Sequence, residues 1–337
     1  MADIFATRFY PPFALSAPDV FWLVDPFTNG MMDKLSRDRR YKDLGVSVID
    51  LTHRGRRADG LGFTTSASWN GGVFRNVASL VKIAAMFAAF RLKESLAIAV
   101  NQTSETTGRD ALDSVARDWK EVVETAIPVG RRDFPQFSKI FDISGVKGAW
   151  ALNFTGDYMK HTELMIGHSD NRSASICIDR LGFQFINGAL EAEGFYSHAN
   201  GGMWLGGNYG GKSWMLEPKT KLTHQGATAR SVAKFLALVE DNRLISPAAS
   251  TEMRRIMGLA GTWFVEGLMR AKPARSVTSS YAKVGIYSGK YHDCAVLERG
   301  TKDGRLLRYA AVVLGATDPQ VIRELAVKLD DYVLASN

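Results

Sequence analysis

The stretch Asn76-Val77-Ala78-Ser79-Leu80-Val81-Lys82-Ile83-Ala84-Ala85-Met86-Phe87-Ala88-Ala89-Phe90 decides how this chain is read. Every residue from Ile83 to Phe90 is apolar, the pattern of a helix buried nearly all round rather than of an amphipathic surface helix. The expected helix runs to about Lys93. Lys82 follows Ser79 by three residues, which places both on one helix face. An ammonium on a buried face is costly to keep charged, so its pKa falls. A neutral lysine beside a hydroxyl can take its proton and turn a weak nucleophile into a usable one. Ser-x-x-Lys also arises by chance on solvated helices. The apolar run behind this copy sets it apart.

The 337 residues suffice for one large domain or two interleaved ones. A hydrophobic fraction of 46% and a charged fraction of 23% are those of a soluble globular protein. The net charge is +7, from 42 basic and 35 acidic residues. Basic residues cluster at Arg37-Asp38-Arg39-Arg40, Arg54 to Arg57 and Arg131-Arg132, without a long stripe interleaved with aromatics. That pattern is scattered solvated charge rather than a nucleic-acid surface, and its mild positive field suits an anionic small-molecule substrate. Cys177 and Cys294 lie among apolar neighbours and outside any metal spacing, so buried free thiols are expected, with a disulfide left open. The six histidines do not cluster, and no cofactor or metal is implied. The chain opens without a basic segment followed by an apolar core, and its longest apolar run is too short to span a bilayer. It reads as cytoplasmic, as would a chain trimmed of an export signal. The oligomeric state is left open.

Residues 1–40, rich in aromatics and prolines, read as an extension around the domain. Leu44–Leu51 reads as a strand, followed by a basic turn and a short strand near Gly60–Phe63. After the Ser79 helix come a helix over Asp110–Ile127, a loop or insertion at 128–150, and helices at Tyr158–Ile166 and Asn171–Leu181. Residues 182–222 read as a long glycine-rich loop. Helices open at Thr228 and Pro247. Strand patterns at Tyr281–Ser288, Tyr291–Glu298 and Leu306–Leu314 precede a closing helix, Asp318–Leu334. Strands at both ends of a helical middle can pair into one antiparallel sheet. The expected fold is α+β: a single domain over 41–337, with an α/β lobe (about 41–75 and 275–337), a helical lobe (about 76–274) and a site in the cleft between them.

Two further motifs follow in order. Ser169-Asp170-Asn171 lies between predicted helices, and Lys283-Val284-Gly285 lies on the first late strand. Either alone is an ordinary turn or cap. Together with Ser79 and Lys82, each on its expected element, they resemble the penicillin-recognising serine enzymes, the class A β-lactamases and related D,D-peptidases. The resemblance covers roughly residues 44–334 and includes Leu244-Ile245-Ser246-Pro247 between two helices.

The resemblance implies that Ser79 is the acylated nucleophile and Lys82 the base that activates it. Ser169 would relay a proton to the leaving nitrogen, and Asn171 would hold Lys82 and the substrate amide. Lys283 would supply positive charge for a substrate carboxylate and for the Ser169 hydroxyl. The backbone N–H groups of Ser79 and Ile286 would form the oxyanion hole, with Gly285 beside them. His168 adjoins Ser169 and could line the cleft. Trp204, with Tyr209 and Trp214, could form an apolar substrate wall or only pack the loop.

The sequence also departs from the family pattern. Val284 and Ile286 stand where hydroxylated or small residues are usual, which removes a donor to a substrate carboxylate. His198 to Asn208 contains no carboxylate where class A enzymes place the glutamate that activates the deacylating water; Glu191 and Glu193, earlier in the chain, read as helix surface. The stretch from Ser79 to Ser169 is longer than usual, with 128–150 as the insertion. An acyl-enzyme would then hydrolyse slowly or pass to another nucleophile. The expected function is a serine hydrolase or acyltransferase acting on an amide, ester or lactam. The alternatives are a ligand-binding or regulatory protein that kept the fold but not turnover, and chance motifs on an unrelated α/β fold. Gly211-Lys212-Ser213 is not a phosphate-binding loop, since it lacks the preceding strand and the glycine spacing.

Overall fold

The computed structural model describes residues 22–23, 26–52, 64–126, 134–197, 201–213, 225–271, 277–301 and 304–335. They divide into two units, one of the described residues within 82–196 and 204–213, the other of those within 22–81, 197–203 and 225–335.

The second unit is built on a sheet of six strands among the described residues: β1 (Trp22–Leu23), β2 (Gly45–Asp50), β3 (Thr64–Trp69), β4 (Val277–Tyr287), β5 (Lys290–Gly300) and β6 (Leu306–Ala316). The spatial order is β1-β3-β2-β6-β5-β4. All neighbours pair antiparallel except the two-residue β1 against β3. β2 and β6, some 260 residues apart in sequence, lie side by side, with Val48 opposite Ala311. The expected pairing of early and late strands is therefore present. β4 and β5 join through Ser288-Gly289, both at positive φ (49° and 70°), the backbone that matches a two-residue hairpin to strand twist.

Alternate strand residues fill two layers. Val46, Val48, Leu297, Tyr309, Ala311 and Val313 meet Met32 and Leu35 of the helix Pro26–Arg37, Phe264 and Leu268 of the helix Trp263–Ala271, and Ile322, Leu325 and Leu329 of the helix Pro319–Ala335. The helix Ala229–Glu240 packs on β2, β5 and β6. Inside this core Arg299 is ion-paired with Asp330, which also accepts from the Tyr309 hydroxyl at 3.0 Å. By packing, the described residues from Gln225 onward group with the sheet.

In the first unit the helix Lys82–Asn101 is buried along most of its length. It packs against the helices Gly108–Ala126, Gly156–Gly167, Asn171–Leu181 and Phe183–Ala192 and against the strand Ala149–Phe154. Neighbours on every side explain why its sequence is apolar all round.

Several elements differ from the sequence reading. Pro26–Arg37 is helical within the supposed irregular extension, with Pro26 at its first position, where the missing N–H costs nothing. Residues 141–154, expected to be largely loop, form the hairpin Phe141–Val146/Ala149–Phe154. Phe183–Ala192 is a helix where a loop was expected. Arg54–Arg57, the strand expected near Gly60–Phe63, Arg131-Arg132 and Trp214 lie outside the described residues. Cys177 and Cys294 are both free and buried, and burial pushes the Cys177 thiol up to about 12. No helix among the described residues is long and apolar enough to cross a membrane.

Candidate active site

Lys82 opens its helix, and its side chain is 0% exposed. Its Nζ donates to the Ser169 carbonyl at 2.7 Å and to Asn171 Oδ1 at 2.8 Å. Burial pushes its pKa down to about 8, against the pull of the Asp170 carboxylate. A lysine near 8 is a usable base close to neutral pH.

The turn that meets Lys82 follows from local sequence. The helix Gly156–Gly167 ends at His168, and Ser169 takes φ +57°, a left-handed conformation uncommon outside glycine. Asp170 is the N-cap of the next helix and accepts from the Ser173 N–H at 2.6 Å. Bonds from the Ser173 side chain and backbone hold its carboxyl below the usual range. The cap fixes the turn, and the turn aims the Ser169 carbonyl and the Asn171 amide at Lys82. Asn171 and His168 are exposed and Ser169 is half-buried.

Ser79 lies on a single 3-10 turn, Ala78–Val81, which leads into the helix that Lys82 opens. The pair therefore stands at the junction of two elements rather than inside one α-helix. Ala78, just before the serine, has φ +50°, and its N–H donates to Asn76 Oδ1 at 3.0 Å. Non-glycine residues held at positive φ are uncommon and cluster at functional sites. Ser79 itself is half-buried.

β4 brings Lys283-Val284-Gly285 to that same turn. A Cβ at Gly285 would lie 2.2 Å from the Val77 carbonyl oxygen and 2.9 Å from the Leu80 nitrogen, so only glycine allows this approach. Lys283 is buried, and its Nζ donates to the Val284 carbonyl at 2.9 Å. Ile286 is 56% exposed and Tyr287 is exposed beside it. In register, Lys283 faces Cys294 and Gly285 faces His292 on β5.

Thus Lys82, Ser169 and Asn171 are joined in one unit, and Ser79 and Gly285 are adjacent in the other. Trp204 is 1% exposed with its ring 5.1 Å from Tyr196, so it packs its loop rather than offering a wall. Glu193, expected on a helix surface, is buried and ion-paired with Arg91 at 3.1 Å. The residue the sequence did not single out for Lys82 is Tyr209, whose ring centroid lies 4.3 Å from Nζ. The sequence offered Tyr209 only as part of an apolar wall or as loop packing, with nothing to tie it to Lys82.

Residues 159–330, half of the chain, match the model of the beta-lactamase enzyme family. No curated protein matches the chain. Solved structures that resemble it include a β-lactamase from Sphaerobacter thermophilus DSM 20745, 16% identical over 91% of this chain and 98% of that one, with a TM-score of 0.51. The TLA-3 extended-spectrum β-lactamase is 13% identical over 93% and 100%, with a TM-score of 0.51. A β-lactamase from Chitinophaga pinensis DSM 2588 is 13% identical over 92% and 98%, with a TM-score of 0.50. At such identities the likeness is one of fold.

Proposed function

The chain belongs to the β-lactamase enzyme family, and on that premise we propose that it is a serine hydrolase or acyltransferase working through an acyl-enzyme on an amide, ester or lactam. The observation that carries this reading is the buried Lys82, held by Ser169 and Asn171 and shifted toward a neutral base.

In the first step the Ser79 hydroxyl oxygen attacks the substrate carbonyl carbon while its proton passes to neutral Lys82. The carbonyl electron pair moves to oxygen, where backbone N–H groups at Ser79 and Ile286 receive it. The pair then returns, the C–N or C–O bond breaks, and the leaving atom takes a proton through the Ser169 hydroxyl. In the second step water, an alcohol or an amine attacks the ester, and Ser79 regains its proton. Lys283 supplies positive charge for an anionic substrate group.

The second step distinguishes hydrolysis from transfer. Residues 204–213 carry no carboxylate, and Glu217 is the single one between Gly194 and Thr228, outside the described residues. If no carboxylate activates a water, the acyl-enzyme should persist until an acceptor arrives. A second reading, reversible binding without turnover, draws on Val284 and on the exposed Ile286 beside Lys283.

Intact-protein mass after incubation with a fluorescent penicillin and with an activated ester tests the proposal. The expected result is a lasting adduct on wild type and none on Ser79→Ala. An equal adduct on Ser79→Ala would overturn the nucleophile. No adduct on either protein would favour the binding reading. A longer-lived adduct on Glu217→Gln would assign deacylation to Glu217.

A further inference from the structure

The segment from Trp204 to Ser213 is held by specific bonds. The Asn187 side chain donates to the Leu205 carbonyl at 2.9 Å and accepts from its N–H at 3.0 Å. Asn208 is buried; its Oδ1 accepts from the N–H groups of Gly210 and Lys212 at 2.9 and 3.0 Å, and its amide donates to Asp179 at 3.0 Å. Its carbonyl accepts from the Ser175 hydroxyl at 2.6 Å. Between these anchors Tyr209 takes φ +67°, a conformation a bulky residue adopts only when its surroundings impose it. The effect of that backbone is to lay the phenol ring over Lys82, with Nζ 4.3 Å from the ring centroid.

A ring face carries negative charge density and attracts a cation within about 6 Å of its centre, more strongly when water is excluded. Lys82 is excluded from water and already has two acceptors in Ser169 and Asn171. Among the described residues, the Asp170 carboxylate, one residue along the same turn, also acts on it. Both Asp170 and the ring favour the ammonium, while burial opposes it.

We infer that Tyr209 is a positioning residue that steadies the ammonium form of Lys82 through its ring face, so that the anchored loop sets when Lys82 acts as a base. This rests on the reading of Lys82 as the base for Ser79. The hydroxyl of Tyr209 is not required; the ring is. Leucine and methionine keep the site apolar and dry but have no such face, and they meet the same backbone constraint as tyrosine.

The test separates the ring's effect from catalysis. Nitrogen-15 labelling of lysine lets the Lys82 side chain be titrated by NMR in the Ser79→Ala background, where no acylation occurs. Tyr209→Phe should titrate as the parent does. Tyr209→Leu and Tyr209→Met should each titrate lower by about half to one and a half pH units. In the active background the pH midpoint of acylation should move with them. Unchanged titration in Tyr209→Leu and Tyr209→Met, or an equal shift in Tyr209→Phe, would overturn the inference. Titration shifts without any adduct on the active protein would leave the Tyr209 effect standing and remove the proposed function instead.

Discussion

Lys82 makes the sharpest residue-scale prediction. If its neutral form accepts the Ser79 proton, the acylation rate should rise about tenfold per pH unit below 8 and level off above it, given the shift to about 8. Stopped-flow acylation by an activated ester measures this; a rate flat from pH 6 to 9 would remove Lys82 as the base. Gly285 makes a second prediction. Gly285→Ala sets a methyl against the Val77 carbonyl, so strand and turn must part. Acylation should fall by about a hundredfold, with a stability loss of about 1–3 kcal/mol, read by adduct formation and denaturant unfolding. Ser79, Lys82, Ser169 and Lys283 could be proposed from the sequence because motif order and an all-apolar helix are written along the chain. The place of Tyr209 over Lys82 could not, because it depends on a left-handed backbone and on anchors from Asn187 and Ser175 that no local pattern announces.

Elements were legible where their signals are local and missed where they are not. The helix after Thr228 was expected because Thr228 is its cap and the apolar spacing is regular. Phe183–Ala192 was read as loop because Gly182 and Gly188 flank and interrupt it. The helix is tied to Leu205 by the buried Asn187, a contact that no local pattern announces. Trp263–Ala271 had no assigned place; the local Thr262 hydroxyl accepts from the Phe264 N–H at 3.1 Å, and the rest of its cap comes from thirty residues away. Asp293 accepts from the Thr262 hydroxyl at 2.8 Å and from the N–H groups of Trp263 and Phe264 at 2.8 and 3.2 Å. Burial nonetheless pushes its carboxyl up to about 7, outweighing these donors. A raised carboxyl binds its proton in the folded chain but not in the unfolded one between about pH 4 and 7. Stability therefore falls across that window, by at most about 1.4 kcal/mol per pH unit from this group. Asp293→Asn keeps an acceptor at the cap and should remove that part of the slope. Unfolding midpoints at pH 5 and pH 7 for both proteins check this; parallel slopes would contradict it.

For the whole molecule, the sheet unit is interrupted by the helical one, and the crossing falls between Val81 and Lys82. Ser79 thus lies two residues before the end of one segment, and Lys82 is the first residue of the next. Sequence order could suggest that early and late strands pair. It could not assign the helices after Gln225 to the sheet, because their apolar faces do not say which partner they cover. The ion pair of Arg299 with Asp330 joins the last helix to the sheet inside the core. Asp330→Ala would strand a buried guanidinium and should cost about 3–5 kcal/mol, seen as a lower denaturant midpoint; an unchanged midpoint would show that the pair is not needed there.

The most direct test of the central claim is to locate the acyl group. After labelling with the activated ester, digestion and tandem mass spectrometry should place the added mass on Ser79 alone. A label on Ser169, or spread over surface lysines with Ser79 unmodified, would contradict it.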